Sequence, residues 1–301
     1  MNIYLYGIPP LQQRESLYSW LQRLAQSQGM SYTQITQLLE LSRIKDMDAP
    51  KLPIHKNTFS KISNFNEVWF QGLFAINKSI RQFKSVKKQL RINHDKKPIT
   101  SVCCECLKTD VLPYFRIEWR FNFWKVCPLH AIELNTTCPH CNSEIILSNS
   151  LLTGLNSVPD LRYCQSCLLE FSNTKSKEEI FPALQDQIQT QNNMMASIVT
   201  GYCQIVPLNK RFNLNIMFRI YELGILHSAA TADFEAPVSS DQREALINFI
   251  ASMNKKILAQ ERLHNRARNW RSRNRKICIP EYERVNFYTK PRLMYNVKQE
   301  F

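Results

Sequence analysis

Eight of the chain's ten cysteines lie between residues 103 and 167, and most of them fall in pairs. Four pairs have ligand spacing: Cys103/Cys106, Cys127/His130, Cys138/Cys141 and Cys164/Cys167, each C-x-x-C or C-x-x-H. Two intervening residues let a tight turn aim both side chains at one metal, and two such turns complete a tetrahedron. The gaps between successive pairs are 20, 7 and 22 residues. The simplest solution joins each long-gap couple, so that Cys103, Cys106, Cys127 and His130 form one site and Cys138, Cys141, Cys164 and Cys167 a second. A cross-braced alternative joins the first pair to the third and the second to the fourth. Either way the spacing predicts two structural zinc ions, although a four-cysteine set is also compatible with iron–sulfur. Four protein ligands close the shell and leave no position for a catalytic water. Cys104 and His140 sit inside two of the turns and are substitute ligands, but the two-residue spacing favours the residues named. Cys203 and Cys278 stand apart and read as buried thiols.

The rest of the chain is poor in glycine, with six in 301 residues. Glycine supplies the positive-φ positions of tight turns, so its scarcity favours helices over an all-β fold. It also leaves no Gly-rich phosphate loop, which argues against a P-loop ATPase or a dinucleotide enzyme. The formal net charge is +14, and the sequence pI is about 9.4. Such an excess favours a polyanionic partner, nucleic acid first. The opening MNIYLYGIPP has no signal-peptide pattern and no segment is apolar for long enough to span a membrane. The expected compartment is the reducing cytoplasm, where C-x-x-C pairs read as metal ligands before disulfides.

Leu17, Trp20, Leu21 and Leu24 recur at i, i+3, i+4, i+7 and predict an amphipathic helix over residues 14–28. After Gly29, Ser31 and Gln34 have capping-box spacing, and Ile35, Leu38 and Leu39 continue a second helix. This unit is compatible with a DNA-reading helix-turn-helix or with a plain αα-hairpin. Residues 42–60 form a connection and 65–92 a further helix. Its polar face of Lys78, Arg81, Lys84, Lys87, Lys88 and Arg91 is either a solvated surface or a phosphate contact. In YFRIEWRFNFWKV the aromatics fit a strand or a helix, with Arg116 and Arg120 facing phosphate or solvent. Residues 172–177 read as a linker, and the pattern is helical from 178. Ser239 and Gln242 open a long helix that runs into RLHNRARNWRSRNRK, 262–276. Lys84, Lys87, Lys88, Arg91, Arg262, Arg266, Arg268, Arg271, Arg273, Arg275 and Lys276 are the candidate nucleic-acid contacts, and Trp270 is placed to stack on a base or anchor its segment. The expected fold is mainly α with two tandem zinc ribbons. It comprises a helix-turn-helix-like region (1–100), a zinc-ribbon region (101–171) and a helical, basic C-terminal domain (178–301).

At this point the chain resembles the TniQ family, which includes TnsD-like target selectors of bacterial transposons. Glu15, Ser16, Leu17, Ser19, Trp20, Arg23 and Ala25 fit the family's E-S-L-x-S-W-x-x-R-x-A. Arg116, Trp119, Cys127–His130, Leu134 and Cys138–Cys141 fit its R-x-x-W, C-P-x-H, leucine and C-P-x-C. The likeness covers roughly residues 8–170. It implies a non-catalytic adaptor that identifies a target and brings in a TnsC-like AAA+ ATPase regulator, which recruits the transposase. Some members bind an attachment site on DNA, and others dock as homodimers on an RNA-guided Cascade complex. The C-terminal part here is shorter than in TnsD-type members.

No H-E-x-x-H or G-x-S-x-G signature marks an enzyme. The leading reading is a target-selection adaptor in transposition. The alternative is a zinc-ribbon, helix-turn-helix transcription regulator. A zinc-dependent nuclease would need an open metal shell or a set of carboxylates.

Overall fold

Helix α1 (Leu17–Ser27) starts where Ser16 is extended and its hydroxyl accepts the Ser19 amide, which satisfies one of the orphan N–H groups of a first turn. It ends in a Schellman arrangement. Gly29 takes φ +63, its amide reaches the Gln26 carbonyl at 3.1 Å and the Met30 amide reaches that of Ala25 at 2.9 Å. Ser31 and Gln34 then form the expected reciprocal capping box at the start of α2 (Tyr32–Leu38). The structure, a computed structural model, describes residues 5–54, 56–59, 62, 66–147, 158–171, 181–205, 210–215, 217 and 218.

Among the described residues there are six α-helices and three two-stranded antiparallel sheets. The remaining helices are α3 (Gln71–Gln82), α4 (Lys84–Lys88), α5 (Cys104–Thr109) and α6 (Phe181–Thr200). Strand β1 (Ile99–Thr100) pairs with β4 (Ile145–Ile146) and β2 (Val126–Cys127) with β3 (Ile132–Glu133). The third pair is β5 (Tyr202–Ile205) with β6 (Lys210–Asn213). No helix among the described residues is long and apolar enough to cross a membrane. The described residues all fall in one compact unit, Met1–Arg243.

The apolar stripe of α1 is buried as expected, but the helix is enclosed on its polar side too. Tyr18, Ser19, Gln22 and Arg23 are buried with Leu17, Trp20, Leu21 and Leu24. Those polar groups are satisfied within the fold, the condition for burying them cheaply. Gln22 Nε2 donates to the Tyr18 hydroxyl at 2.8 Å. The Trp20 ring meets Phe70 edge-on at 4.9 Å and Phe59 at 6.0 Å, and its indole N–H donates to the Pro9 carbonyl at 2.9 Å.

Two expectations are corrected. Residues 65–92 are not one helix. Phe83 leaves helical geometry at φ −115, ψ 115, ending α3 and starting α4. A continuous 3.6-residue period from Leu73, Ile76 and Ile80 would carry Lys84 and Lys87 inward. The break re-phases the chain so that Val86 and Leu90 are buried and Lys84, Lys87 and Lys88 stay exposed. The aromatic segment is neither strand nor helix. It makes a single 3-10 turn, Ile117–Arg120, and pairs at isolated points, Arg116 with Glu15 and Phe121 with Leu90. Its rings pack inward: Trp119, Phe121, Phe123 and Trp124 are all buried.

Helix α6 docks on this framework through specific polar contacts. The Gln191 side chain accepts the Lys125 and Val126 amides at 3.2 Å each. Ser79 on α3 donates to the Ile198 carbonyl at 2.6 Å.

Candidate metal centres

The four pairs come together in the sequential arrangement. Donor atoms of Cys103, Cys106, Cys127 and His130 lie within 4.8 Å of one another, as do those of Cys138, Cys141, Cys164 and Cys167. A tetrahedral ion with metal–sulfur bonds near 2.3 Å needs sulfur–sulfur edges of about 3.8 Å and sulfur–nitrogen edges slightly shorter. In the first cluster Cys106 and Cys127 sulfurs are 3.5 Å apart. His130 Nδ1 stands 3.5, 3.3 and 3.6 Å from Cys103, Cys106 and Cys127. In the second, Cys138–Cys167 and Cys141–Cys164 are each 3.7 Å. Both sets fit a four-coordinate metal, and His130 offers Nδ1.

Local backbone explains the convergence. Three of the pairs sit on the same turn. The amide of the residue after the second donor returns to the first donor's carbonyl: Ala131 to Cys127 at 2.8 Å, Asn142 to Cys138 at 2.9 Å and Leu168 to Cys164 at 2.8 Å. Each returning residue has positive φ, at 50, 55 and 63°. Short antiparallel pairing flanks each turn: β2 with β3, Thr137 with Glu144, and Tyr163 with Glu170. The first pair is built differently. Cys103 caps α5, and its sulfur accepts the Cys106 amide at 3.4 Å.

The three sulfurs of the first cluster compete for protons. The Cys103 and Cys106 thiols hydrogen-bond to Cys127 and hold its pKa far below the thiol range. Contacts with the Cys106 and Cys127 sulfurs push Cys103 far above it. In the second cluster exposed Cys141 is drawn down to about 6 by the Ser143 hydroxyl and amide. A cation resolves this competition by taking the deprotonated form of every sulfur. Cys104 and His140 point away from the clusters. Cys104 accepts from Asn135 Nδ2 at 3.1 Å, and His140 Nε2–H donates to the Glu170 carbonyl at 2.9 Å. Cys203 is buried, and Cys278 lies outside the described residues.

The first cluster is framed by charged groups that face neither phosphate nor solvent. Arg120 is fully buried. Its Nη2 meets Asp46 at 2.6 Å and its Nε Asp48 at 3.4 Å, while Nη1 donates to the Arg91 and Ile99 carbonyls. Burial raises the Asp48 pKa to about 6 against the opposing pull of Arg120. Arg116 makes a bidentate pair with Asp110 at 3.0 and 3.1 Å and lies over the Tyr114 and Trp119 rings. The Asp110 amide in turn holds the Cys106 carbonyl at 2.8 Å. Both arginines are therefore internal struts, because their guanidinium groups find carboxylates inside the fold.

The motif near the N-terminus is a second lock. Glu15 is buried and accepts Arg23 Nη1 at 2.7 Å, the Ser19 hydroxyl at 2.8 Å and the Gln12 amide at 2.9 Å. Ser19 also accepts the Phe115 amide at 3.0 Å. Glu15, Ser16, Ser19, Trp20 and Arg23 thus fasten α1 to the aromatic segment. Sequence reasoning missed the partners, Asp46 and Asp48 for Arg120 and Glu118 for Arg14. No local spacing identifies an acid so far along the chain.

Lys84, Lys87 and Lys88 are exposed side by side on α4. Arg91 is half-buried and donates to the Trp124 carbonyl at 3.3 Å. Arg262, Arg266, Arg268, Arg271, Arg273, Arg275, Lys276 and Trp270 lie outside the described residues, as does the helix expected from Ser239.

Residues 7–134 match the family model described as TniQ. The match contains the whole first cluster and ends before Cys138, so the second cluster lies beyond it. No curated protein matches the chain.

Proposed function

Since the chain is a member of the TniQ family through residues 7–134, we propose that it is a non-catalytic adaptor for target selection in DNA transposition. The family match carries this reading. Both clusters would hold zinc, the metal that thiolate-rich tetrahedral ligation suits. Neither would expose a water to activate, since all four positions of each tetrahedron are taken by protein atoms. The metal would act by holding the short turns and α5 in one rigid body. Outer surfaces of that body are then free to engage target DNA, a target-bound complex and an AAA+ ATPase regulator. The exposed lysines of α4 and the basic segment 262–276 would supply phosphate contacts. In this reading α1 and α2 serve mainly as framework, because the polar face of α1 is spent on internal partners.

A reconstituted transposition reaction tests it. Omitting this protein should abolish or randomise target choice while donor-end cleavage persists with the separate transposase. Cutting or joining of DNA by the isolated chain with a divalent metal would replace the adaptor with a nuclease.

A further inference from the structure

A metal-bound cysteine is a thiolate, and thiolate is the form that oxidants attack. Thiolate character therefore does not separate the two clusters once each holds its ion. Exposure does. The three sulfurs of the first cluster belong to buried residues, whereas Cys141 is exposed and Cys167 half-buried in the second.

The sulfur contacts of the second cluster add a direction. They run from one turn to the other. Cys141 Sγ is 3.7 Å from Cys164 Sγ, and Cys167 Sγ is 3.7 Å from Cys138 Sγ. Each contact joins an accessible residue to a buried one, since Cys164 is 3% exposed and Cys138 0%. That is the arrangement of an attacking cysteine and a resolving cysteine: the open sulfur meets the oxidant and the covered one stands within reach. A disulfide needs the pair to close from this distance to about 2.05 Å. Cys141 is the most open of the four, so oxidation starts there.

We propose that the second cluster is a peroxide-oxidation site, in which Cys141 is attacked first and Cys164 closes a disulfide to it between the two turns. The Cys141 thiolate attacks one oxygen of hydrogen peroxide, the O–O bond breaks and hydroxide leaves, so that the sulfur becomes a sulfenic acid. The Cys164 thiolate then attacks that sulfur, the S–S bond forms, the S–O bond breaks and a second hydroxide leaves. Each sulfur gives up one electron, and the peroxide is reduced to two waters once both hydroxides take protons from solvent. Cys138 and Cys167 are then the only donors left of four, too few for a closed tetrahedron. The two turns stay joined, because the new bond spans them. The proposal rests on the reading that this cluster holds zinc, and zinc analysis before oxidant is added tests that reading separately.

The full-length protein, purified under reducing conditions, is treated with a few equivalents of hydrogen peroxide and quenched with catalase. A colorimetric zinc indicator should register half of the bound zinc. Peptide mapping after alkylation should find a Cys141–Cys164 disulfide, with Cys103, Cys106 and Cys127 still reduced. Cys141→His keeps a donor and removes the reactive sulfur. Cys127 and His130 show that a C-x-x-H pair suits such a turn. This variant should keep its zinc and release it to peroxide at least about tenfold more slowly, because the open thiolate is gone. If it does not fold, the disulfide map of the unaltered protein decides alone. Release of both ions together, a disulfide within one turn (Cys138–Cys141 or Cys164–Cys167), or unchanged release from Cys141→His would overturn the proposal. No zinc at this cluster before oxidant would overturn the metal reading and the proposal together.

Discussion

The two clusters have the same ligand spacing and very different surroundings. In the first, Cys103, Cys106 and Cys127 are 0, 0 and 1% exposed, and the struts from Arg116 and Arg120 run through the same segment. In the second, Cys138 and Cys164 are buried at 0 and 3%, but Cys141 is exposed and Cys167 half-buried, and both halves are simple turns with short flanking pairs. Ligand spacing therefore specifies that a metal can be held, and burial specifies what depends on it. The first cluster has only His130 partly open to solvent, whereas the second reaches from the core at Cys138 and Cys164 out to the surface at Cys141.

The sharpest way to break this contrast is to remove one ligand from each. Cys127→Ser and Cys141→Ser should each lower zinc content, measured under reducing conditions, from two ions to one. Cys127→Ser should also cost several kcal/mol, lowering the melting temperature by on the order of 10 °C, because metal binding at a buried site is folding free energy. Cys141→Ser should cost much less. Equal losses by calorimetry would mean the clusters are energetically alike.

Next in size is the strut. Arg120→Ala leaves Asp46 and Asp48 without their buried cation, and breaking such a pair costs about 3–5 kcal/mol. Denaturant melts should show that loss while the second cluster keeps its metal. Coupled loss of both ions would show one cooperative unit instead.

Kinetics give a smaller effect. A colorimetric chelator should withdraw zinc in two phases, the fast one accompanied by alkylation of Cys141 and Cys167 and the slow one by alkylation of Cys127. Mass spectrometry of the alkylated cysteines assigns each phase, and a single phase would erase the distinction.

The smallest effect is acid-linked. Burial pushes the Glu118 carboxyl up to about 7, with Arg14 opposing. The folded form therefore holds this proton more tightly than the unfolded chain. The associated stability is fully present below about pH 4.5 and is lost as pH rises towards 7, at up to about 1.4 kcal/mol per unit. Glu118→Gln should flatten that part of the unfolding profile without altering release from the second cluster. An unchanged profile would remove Glu118 as the titrating group.

The ligand pairs were legible in the sequence because their geometry is local, and so were Ser16, the Ser31–Gln34 box and the stripe of α1. The 114–126 segment was not. Its aromatic spacing suits two periods at once, and the actual backbone is set by pairing with Glu15 and Leu90, which lie far from it in sequence. Arg116 and Arg120 looked free for phosphate because no sequence pattern announces an internal carboxylate. The break at Phe83 was hidden for a related reason. Only the packed core shows that a continuous helix would have carried lysines inward.

The three return turns hold one more consequence. Ala131, Asn142 and Leu168 close them in left-handed backbone, where a Cβ costs about 1–2 kcal/mol and only asparagine among the three is at ease. Glycine would close these loops freely, with or without an ion. Ala131 and Leu168 close theirs at a cost that glycine would not carry. Each cluster thus contains one such residue, Ala131 in the first and Leu168 in the second, so each closed turn carries a backbone cost that a bound metal would offset.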